Sequence, residues 1–431
     1  MNKLAVQKYP AYKDSGVDWL GEIPEGWELR KFKYLFREIN ERSDDGTEDL
    51  LSVSQYTGVT KKSDKVEEGD LLTTASTLEG YKKVYQNDLV SNIMLAWNGS
   101  LGFSPFNGIT SPAYSIYRLN KGNSERFFHY LVRSQIYKSE FKRNSSGVIE
   151  SRLRLYTDDF FAIWSILPSP FEQTAIANFL DDKTAKIDQA IAQKEQLIAL
   201  LKERKQIIIQ NAVTKGLDPN ARMKDSGVEW IGEIPEHWEV KKLKYVAFIR
   251  GGQVDPKISP YKEMILIAPN HIESRSGVIL YEETADQQGA DSGKYLAKEG
   301  DLIYSKIRPE LRKVCKTDKV CLCSADMYAI KASKDVSEDY LLFVFLGEQF
   351  NDFMINQSLR VAMPKVNRSD VINYPIVFPP FEEQRRIIKY IETQSAKTDQ
   401  AISLQQNQID KLKEYKATLI DSAVTGKIKV E

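Results

Sequence analysis

The residues that come closest to a catalytic pattern are two Glu-x-Lys triplets, Glu203-Arg204-Lys205 and Glu414-Tyr415-Lys416. Such triplets occur in nucleases. Both, however, lie deep inside predicted long helices at matched positions, where solvated helix charge accounts for them. The three histidines, His129, His237 and His271, are far apart in sequence. His237 stands where a repeated segment has Gly26, so that position does not require an imidazole. The three cysteines, Cys315, Cys321 and Cys323, fall within nine residues with no histidine nearby. They make neither a disulfide framework nor the four-ligand set of structural zinc. No HExxH, GxSxG, GxxxxGK[ST] or GxGxxG is present, and no Asn-Pro-Pro-aromatic motif of adenine methyltransferases. No catalytic or metal-ligating residue is assigned, and no catalysis is expected of this chain alone.

Basic and polar residues outside the apolar stripes point elsewhere. Lys61 and Lys62, Lys82 with Lys83, and Arg152 with Arg154 lie in the first half. Lys306, Arg308, Arg312 and Lys313, then Lys365, Asn367 and Arg368, lie in the second. Lysine and arginine offset phosphate charge, and arginine pairs bidentately with guanine. Asparagine and glutamine can read adenine, which adds Gln55, Asn98, Asn270 and Gln357. Taken singly, each of these residues is equally the solvated face of a soluble domain. For the run at 306–313 the two readings balance.

The elements that would position these residues follow from a repeat. Lys13 to Tyr34 reads KDSGVDWLGEIPEGWELRKFKY and Lys224 to Tyr245 reads KDSGVEWIGEIPEHWEVKKLKY, with 16 of 22 positions identical at an offset of 211. A second matched block begins PFEQ at Pro170 and PFEEQ at Pro380, and the offset of 211 holds from Gln173 and Gln384 to Ala212-Val213-Thr214 and Ala423-Val424-Thr425. Residues about 35–165 and 246–376 diverge, yet have nearly equal length. The chain is thus two copies of one plan: leading segment, variable domain, long helix. Shared parts keep one job in both halves, while the divergent parts can do one kind of job on different targets.

Residues 171–212 hold no proline or glycine, and Ile176, Leu180, Ile187, Ile191, Ile198, Leu201 and Ile208 recur at helical spacing. The second copy repeats this with Ile387, Ile391, Ile402, Ile409, Leu412 and Leu419. A sustained stripe suits a two-helix coiled coil; a helix packed on its own domain is the alternative. An antiparallel pair is favoured, because it places one domain at each end. The variable domains mix strand patterns (Asp88 to Trp97, Ala113 to Leu119, Asp301 to Ile307, Met327 to Ile330) with helical ones (Glu125 to Phe141, Glu338 to Phe353). The expected fold class is α+β: two globular domains joined by two long antiparallel coiled-coil helices. The divisions are 1–170, 171–215, 216–380 and 381–431.

The 431 residues suffice for two or three domains, and Lys plus Arg equal Asp plus Glu at 60 each. That balance argues against a surface that binds polyanions everywhere, and leaves room for one basic face. No apolar signal segment or membrane span is evident, so a soluble cytoplasmic protein is expected.

GVDWLGEIPEGW and GVEWIGEIPEHW, the paired PFEQ and PFEEQ helix starts, and the AVTKG and AVTGK helix ends resemble those of specificity subunits of type I restriction–modification enzymes. SPAYSIYR at 111–118 and CSADMYAI at 323–330 resemble recurring strands of their target-recognition domains. The resemblance covers essentially the whole chain. It implies that each variable domain reads one half of a bipartite, asymmetric DNA site and that the helices set the gap. It implies two methyltransferase subunits that carry S-adenosylmethionine and methylate adenine, and restriction subunits that use ATP and Mg to translocate and cut DNA. No cofactor is then bound by this chain. On this reading Trp19, Trp27, Trp230 and Trp238 are packing anchors, because sequence readers should differ between halves. Lys215-Gly216 is inverted relative to Gly426-Lys427, which sets the two helix ends apart. A scaffold of two adaptor domains and a self-sufficient nuclease are the competing readings. The first predicts no salt-dependent DNA binding, and the second predicts metal-dependent cleavage by the purified chain.

Overall fold

The structure is a computed structural model that describes residues 7–65, 77–149, 153–358 and 365–430. It falls into two compact units, residues 1–194 with 407–431 and residues 195–406. These boundaries cut across the sequence divisions, because each long helix contributes to both units. The helices are α1 (Glu125–Arg133), α2 (Gln135–Arg143), α3 (Thr157–Ala162), α4 (Pro170–Lys215), α5 (Glu338–Leu346), α6 (Glu348–Ser358), α7 (Arg368–Asn373) and α8 (Phe381–Val424).

The repeat in sequence is a repeat in structure. In each unit the leading segment forms a small antiparallel hairpin, Tyr12–Asp14 with Glu22–Pro24 in the first and Met223–Asp225 with Glu233–Pro235 in the second. The next strand, Glu28–Lys31 or Glu239–Lys242, pairs with the strand just before the long helix, Trp164–Leu167 or Pro375–Phe378. The leading segment and the helix start are thereby tied together across the whole variable domain.

Among the described residues each variable domain has an antiparallel sheet of one strand order. In unit 1 it runs Phe36–Ile39, Tyr114–Leu119, Asp88–Asn92, Leu101–Phe103; in unit 2 Ala247–Ile249, Met327–Ala332, Leu302–Ser305, Val314–Lys316. Asp88, the first residue of the third strand, and Asp301, just before it, are each 1 % exposed. Each takes a bidentate arginine, as a buried carboxylate must to offset its desolvation. The arginine comes from different places: Arg118 on the second strand in unit 1, and Arg250, just past the first strand, in unit 2. Beyond this sheet the domains differ. Unit 1 adds the hairpin Leu51–Ser54/Gly58–Lys61 and the pair Lys82–Val84/Gly108–Thr110. Unit 2 adds a sheet of Gln253–Val254, Lys294–Ala297, Cys321–Cys323 and Leu266–Ile267.

Two expected helices are each broken. The segment Glu125 to Phe141 divides at Ser134, and Glu338 to Phe353 at Gly347; both residues are extended, with φ −66° and ψ 154°. The expected strand Asp88 to Trp97 stops at Asn92 and gives way to a short 3-10 turn, Ala96–Asn98. The cores are aromatic. Phe32, Phe36, Tyr117, Phe128, Tyr137, Phe141 and Phe160 cluster in unit 1, and Tyr304, Phe345, Phe350 and Tyr374 in unit 2. Phe160 stacks on Tyr117 with centroids 4.4 Å apart and on Phe32 at 4.7 Å, geometry that adds to simple area burial.

The long helices keep a seven-residue rhythm of inward positions. On α8 this includes Gln384, Ile391, Thr398, Gln405, Leu412 and Leu419, all buried or half-buried. A repeat of seven is the coiled-coil period, although at its start Gln384 bonds Ser337 N and the Pro379 carbonyl of its own domain. In unit 1 Lys416 Nζ contacts both Asp188 carboxylate oxygens at 2.7 and 2.6 Å, and Lys194 bonds Gln408. As numbers rise on α4 they fall on α8, so the helices are antiparallel there. In unit 2 Lys205 Nζ holds both Asp399 oxygens at 2.8 Å, the same pair in the other copy. Lys205 and Lys416, the lysines of the two triplets in the long helices, are thus occupied in helix–helix ion pairs. No helix among the described residues is long and apolar enough to cross a membrane.

Candidate nucleic-acid interface

In unit 2 the basic run folds into one loop. The strands Leu302–Ser305 and Val314–Lys316 are paired, so residues 306–313 form their connection. Arg308 and Arg312 both adopt left-handed backbone, with φ of 49° and 47°, which non-glycine residues rarely do. Arg308 points into solvent, whereas Arg312 is 8 % exposed. The Arg312 guanidinium approaches Gln206 Oε1 on α4 at 3.5 Å and Glu348 on α6 at 3.7 Å, while its Nε has no partner. Burial, then the nearby Arg275, holds its pKa below the usual guanidinium range. Arg312, expected on sequence grounds among the DNA-contacting set, is therefore an internal brace of the loop. Burying a guanidinium costs desolvation, which Glu348 and Gln206 on the two helices partly offset.

The other unit 2 candidates gather around this loop. Lys313 Nζ donates to the Pro269 carbonyl at 2.6 Å, next to exposed Asn270, whose amide donates to Tyr281 at 2.7 Å. On the other side Ile307 bridges to Lys365, and Val366 N donates to the Lys306 carbonyl at 2.8 Å. Lys306 is largely covered and lies over the Tyr328 ring at 5.3 Å; burial and the charge of Lys365 lower its pKa. At the start of α7 Asn367 N donates to Asp370 Oδ2 at 3.0 Å, and Arg368 Nη2 donates to the Ile249 carbonyl at 2.6 Å. Both remain exposed, as does Lys365. Gln357 is half-buried on α6.

In unit 1 the candidates are less convergent. Gln55 sits at the turn of the hairpin Leu51–Ser54/Gly58–Lys61 beside Tyr56, which is 83 % exposed. Lys61, at the end of that hairpin, pairs with Asp49 at 2.6 Å, and Lys62 follows half-buried. Lys82 is only 8 % exposed and burial lowers its pKa, so the expectation of a solvent-facing cation fails there: its strand pairs with Gly108–Thr110 and sets its side chain inside the domain. The Asn98 carbonyl oxygen accepts from Ser100 N and Oγ, so that end of the amide shapes its own turn. Arg154 is exposed, and Arg152 lies outside the described residues.

The residue that organises this region was not evident from sequence. Arg133 on α1 donates through Nη1 to the carbonyls of Leu101 (2.7 Å), Gly99 (3.1 Å) and Ser54 (3.4 Å). Through Nη2 it reaches Gln55 (2.8 Å) and Tyr56 (3.4 Å). One guanidinium thus satisfies five backbone acceptors and fixes the hairpin tip. Burial pulls its pKa below the usual range. His129, one turn earlier, accepts from Phe103 N at 3.3 Å, and burial with the Arg133 charge lowers its pKa to about 4. A lone arginine in an aromatic-rich helix carries no sequence signal for such a role.

The three cysteines are buried free thiols, with burial raising each pKa, that of Cys323 to about 12. Thiols so held are poor nucleophiles and poor ligands. Among the described residues no group of three or more His, Cys, Asp or Glu side chains is placed to hold a metal.

Residues 235–414 match a family model described as the Type I restriction modification DNA specificity domain. The type I restriction enzyme EcoDI specificity subunit of Escherichia coli is 28 % identical over 354 residues, 78 % of each chain. The MjaVIII specificity subunit of Methanocaldococcus jannaschii is 23 % identical, covering 81 % of this chain and 83 % of its own. Among solved structures, a chain from a study of complex assembly and conformational transition of the type I R-M system superposes with a TM-score of 0.67 at 16 % identity, covering 93 % of this chain and 98 % of that one. The HsdS subunit from Thermoanaerobacter tengcongensis gives 0.52 at 16 % identity, covering 94 % and 98 %. At that identity the superpositions speak to the fold.

Proposed function

We propose that the chain is a specificity subunit of a type I restriction–modification enzyme, a non-catalytic component that recognises DNA, that its two variable domains each read one half of a bipartite, asymmetric DNA site, and that α4 and α8 set the gap between the halves; the family-model match and the similarity to the EcoDI specificity subunit support this reading. The observation that carries this reading is the structural repeat itself. Leading hairpins, central sheets and long helices recur between units, whereas the strands beyond the central sheets do not. Parts that differ are where two different half-sites would be read.

The reading extends to partners. Two methyltransferase subunits, carrying S-adenosylmethionine, would dock on the shared parts and methylate adenine; restriction subunits would add ATP- and Mg-dependent translocation and cleavage. In unit 2, Leu197, Leu200 and Ile207 on α4 and Leu404 on α8 are between 41 and 56 % exposed. Apolar side chains grouped on a helix surface suit burial by another protein.

The test is a genome-wide map of methylated adenines after co-expression with the neighbouring methyltransferase in a host lacking such systems. One split motif with a fixed gap is expected. Exchange of residues 35–165 should change one half only. A soluble complex that leaves no new methylation would move the reading to a scaffold that does not bind DNA.

A further inference from the structure

Each leading segment walls a niche around its second tryptophan. In unit 1 the walls are Pro24, Trp27, Glu172 and Gly426: the indole donates to Glu172 at 3.2 Å, and a side chain on Gly426 would collide with Pro24 and Trp27. This niche is full. Tyr9 stands edge-on to Trp27 with centroids 5.6 Å apart and an interplanar angle of 75°, and its hydroxyl bonds Glu172. Ile428 and Val430 pack into the same cluster, and Lys429 N donates to the Gln7 carbonyl at 2.8 Å across it.

Unit 2 builds the same walls from Pro235, Trp238, Glu383 and Gly216. The filling residues are missing. At the offset of 211, Tyr9 becomes Asn220 and Val430 becomes Pro219. Ile428 becomes Leu217, which is 42 % exposed. The turn at 218–220 is closed locally by Asn220 N on Asp218 Oδ1 at 2.9 Å. What remains is a cleft of about 280 Å³ over Trp238, edged by His237, Glu383, Arg386, Leu217 and Ala221. That volume falls at the small end of ligand pockets, about 300–1,000 Å³, so it suits one side chain rather than a cofactor.

We propose that this cleft is a docking niche for a tyrosine side chain carried on an extended segment of a partner polypeptide, seated on Trp238 as Tyr9 is seated on Trp27. The occupant is set by the internal precedent: the same four walls in the same chain already hold a phenol. An edge-on ring is the favoured approach to an indole. The hydroxyl meets polar groups that unit 1 lacks, because His237 and Arg386 stand where unit 1 has Gly26 and Ala175. His237 already engages Glu383 at 3.0 Å, and both edge the cleft. The inference stands apart from the reading of DNA half-sites.

The test uses the intact chain and the indole N–H signals of its six tryptophans, titrated with N-acetyl-tyrosinamide. The Trp238 signal should shift saturably in the millimolar range, and N-acetyl-alaninamide should leave it still. Asn220→Tyr supplies the ring internally and should abolish the response. Tyr9→Ala should make Trp27, silent in the natural chain, respond as well. A Trp238 signal that stays fixed, that moves equally with the alanine compound, or that responds unchanged in Asn220→Tyr would overturn the proposal. The first two readings need no variant and so do not depend on one folding.

Discussion

The indole N–H of Trp27 donates to Glu172 Oε1 at 3.2 Å across 145 residues of sequence, and Trp238 makes the same bond to Glu383. Each pair joins a leading segment to the first turn of the long helix that closes its domain. Each tryptophan is 1 % exposed and carries the helix-capping glycine of the other long helix on its face: Gly426 on Trp27, Gly216 on Trp238. The inverted order Lys215-Gly216 against Gly426-Lys427 shifts the helix end by one residue and keeps a left-handed glycine on the ring, with φ of 74° in both.

Glu172→Ala should therefore destabilise unit 1 by about 1–3 kcal/mol, the cost of leaving a buried N–H without its acceptor. Glu172→Gln keeps an acceptor and should recover most of it. Chemical denaturation of the two variants checks this, and equal losses in both would show that the bond contributes little.

Arg133 makes a stronger prediction. Arg133→Met keeps the packing stem and removes donors to five carbonyls. We expect a loss of about 2–4 kcal/mol, since charge-assisted bonds are worth more than neutral ones. Because the guanidinium fixes the tip that presents Gln55 and Tyr56, methylation maps should show one half of the recognised site degraded and the other intact. Loss of both halves together would place the defect in folding rather than at the tip.

Asp421 on α8 accepts from Gln135 N at 2.7 Å and so caps α2; in unit 2 Gln210 on α4 accepts from Gln349 N at 3.3 Å near the start of α6. The acceptors Asp421 and Gln210 are matched positions at the offset of 211. Burial raises the pKa of Asp421 above its ordinary value. A raised carboxyl stabilises the fold only as pH falls through the raised value; at neutral pH its charge is a cost. Asp421→Gln, which copies the other unit, should leave the melting temperature at pH 7 unchanged or higher. Asp421→Ala, which has no acceptor, should cost about 1 kcal/mol.

That pair also explains what sequence reading could and could not reach. The offset of 211 and the apolar stripes made the two-copy plan, the α+β class and the long helices legible, because they are local patterns. The breaks at Ser134 and Gly347 were not, since acceptors from helices distant in sequence cap the new helix starts. The loop 306–313 was visible as a basic run, but the inward turn of Arg312 depends on Gln206 and Glu348, which no spacing reveals. Lys82 failed for a similar reason: its strand is placed by pairing with Gly108–Thr110, a contact distant in sequence.

His129 gives a pH dependence. Its pKa falls from the ordinary 6.5 to about 4 through burial first and the Arg133 charge second. The unfolded chain then takes up a proton that the folded chain refuses. The stabilising contribution is complete above pH 6.5 and is lost as pH falls through the window from 6.5 to about 4. The integrated effect is about 3 kcal/mol at most, since each tenfold change in proton affinity is worth about 1.4 kcal/mol. His129→Gln should flatten this part of the stability profile. Denaturation at pH 7.5, 6, 5 and 4 tests it, and a wild-type profile already flat over that range would refute the assignment.

The basic loop of unit 2 separates two arginines that look alike in sequence. Arg308 is exposed at the turn, whereas Arg312 is braced against Gln206 and Glu348. If the loop meets DNA, Arg308→Ala should weaken binding by about 1–3 kcal/mol with the melting temperature unchanged. A phosphate contact would lower the salt slope by about one ion for every sequence, while a base contact would relax one position of the recognised half-site. Arg312→Ala should act in the opposite order. It removes the internal partner of Gln206 and Glu348, so melting falls first and DNA affinity follows from a disordered loop. Arg312→Lys should not rescue it, because one ammonium cannot span both partners as a planar guanidinium does. An Arg308→Ala chain that binds the same sequence with the same affinity and salt slope would remove the loop from the interface, and the exposed group at Lys365, Asn367 and Arg368 would become the surface to test next.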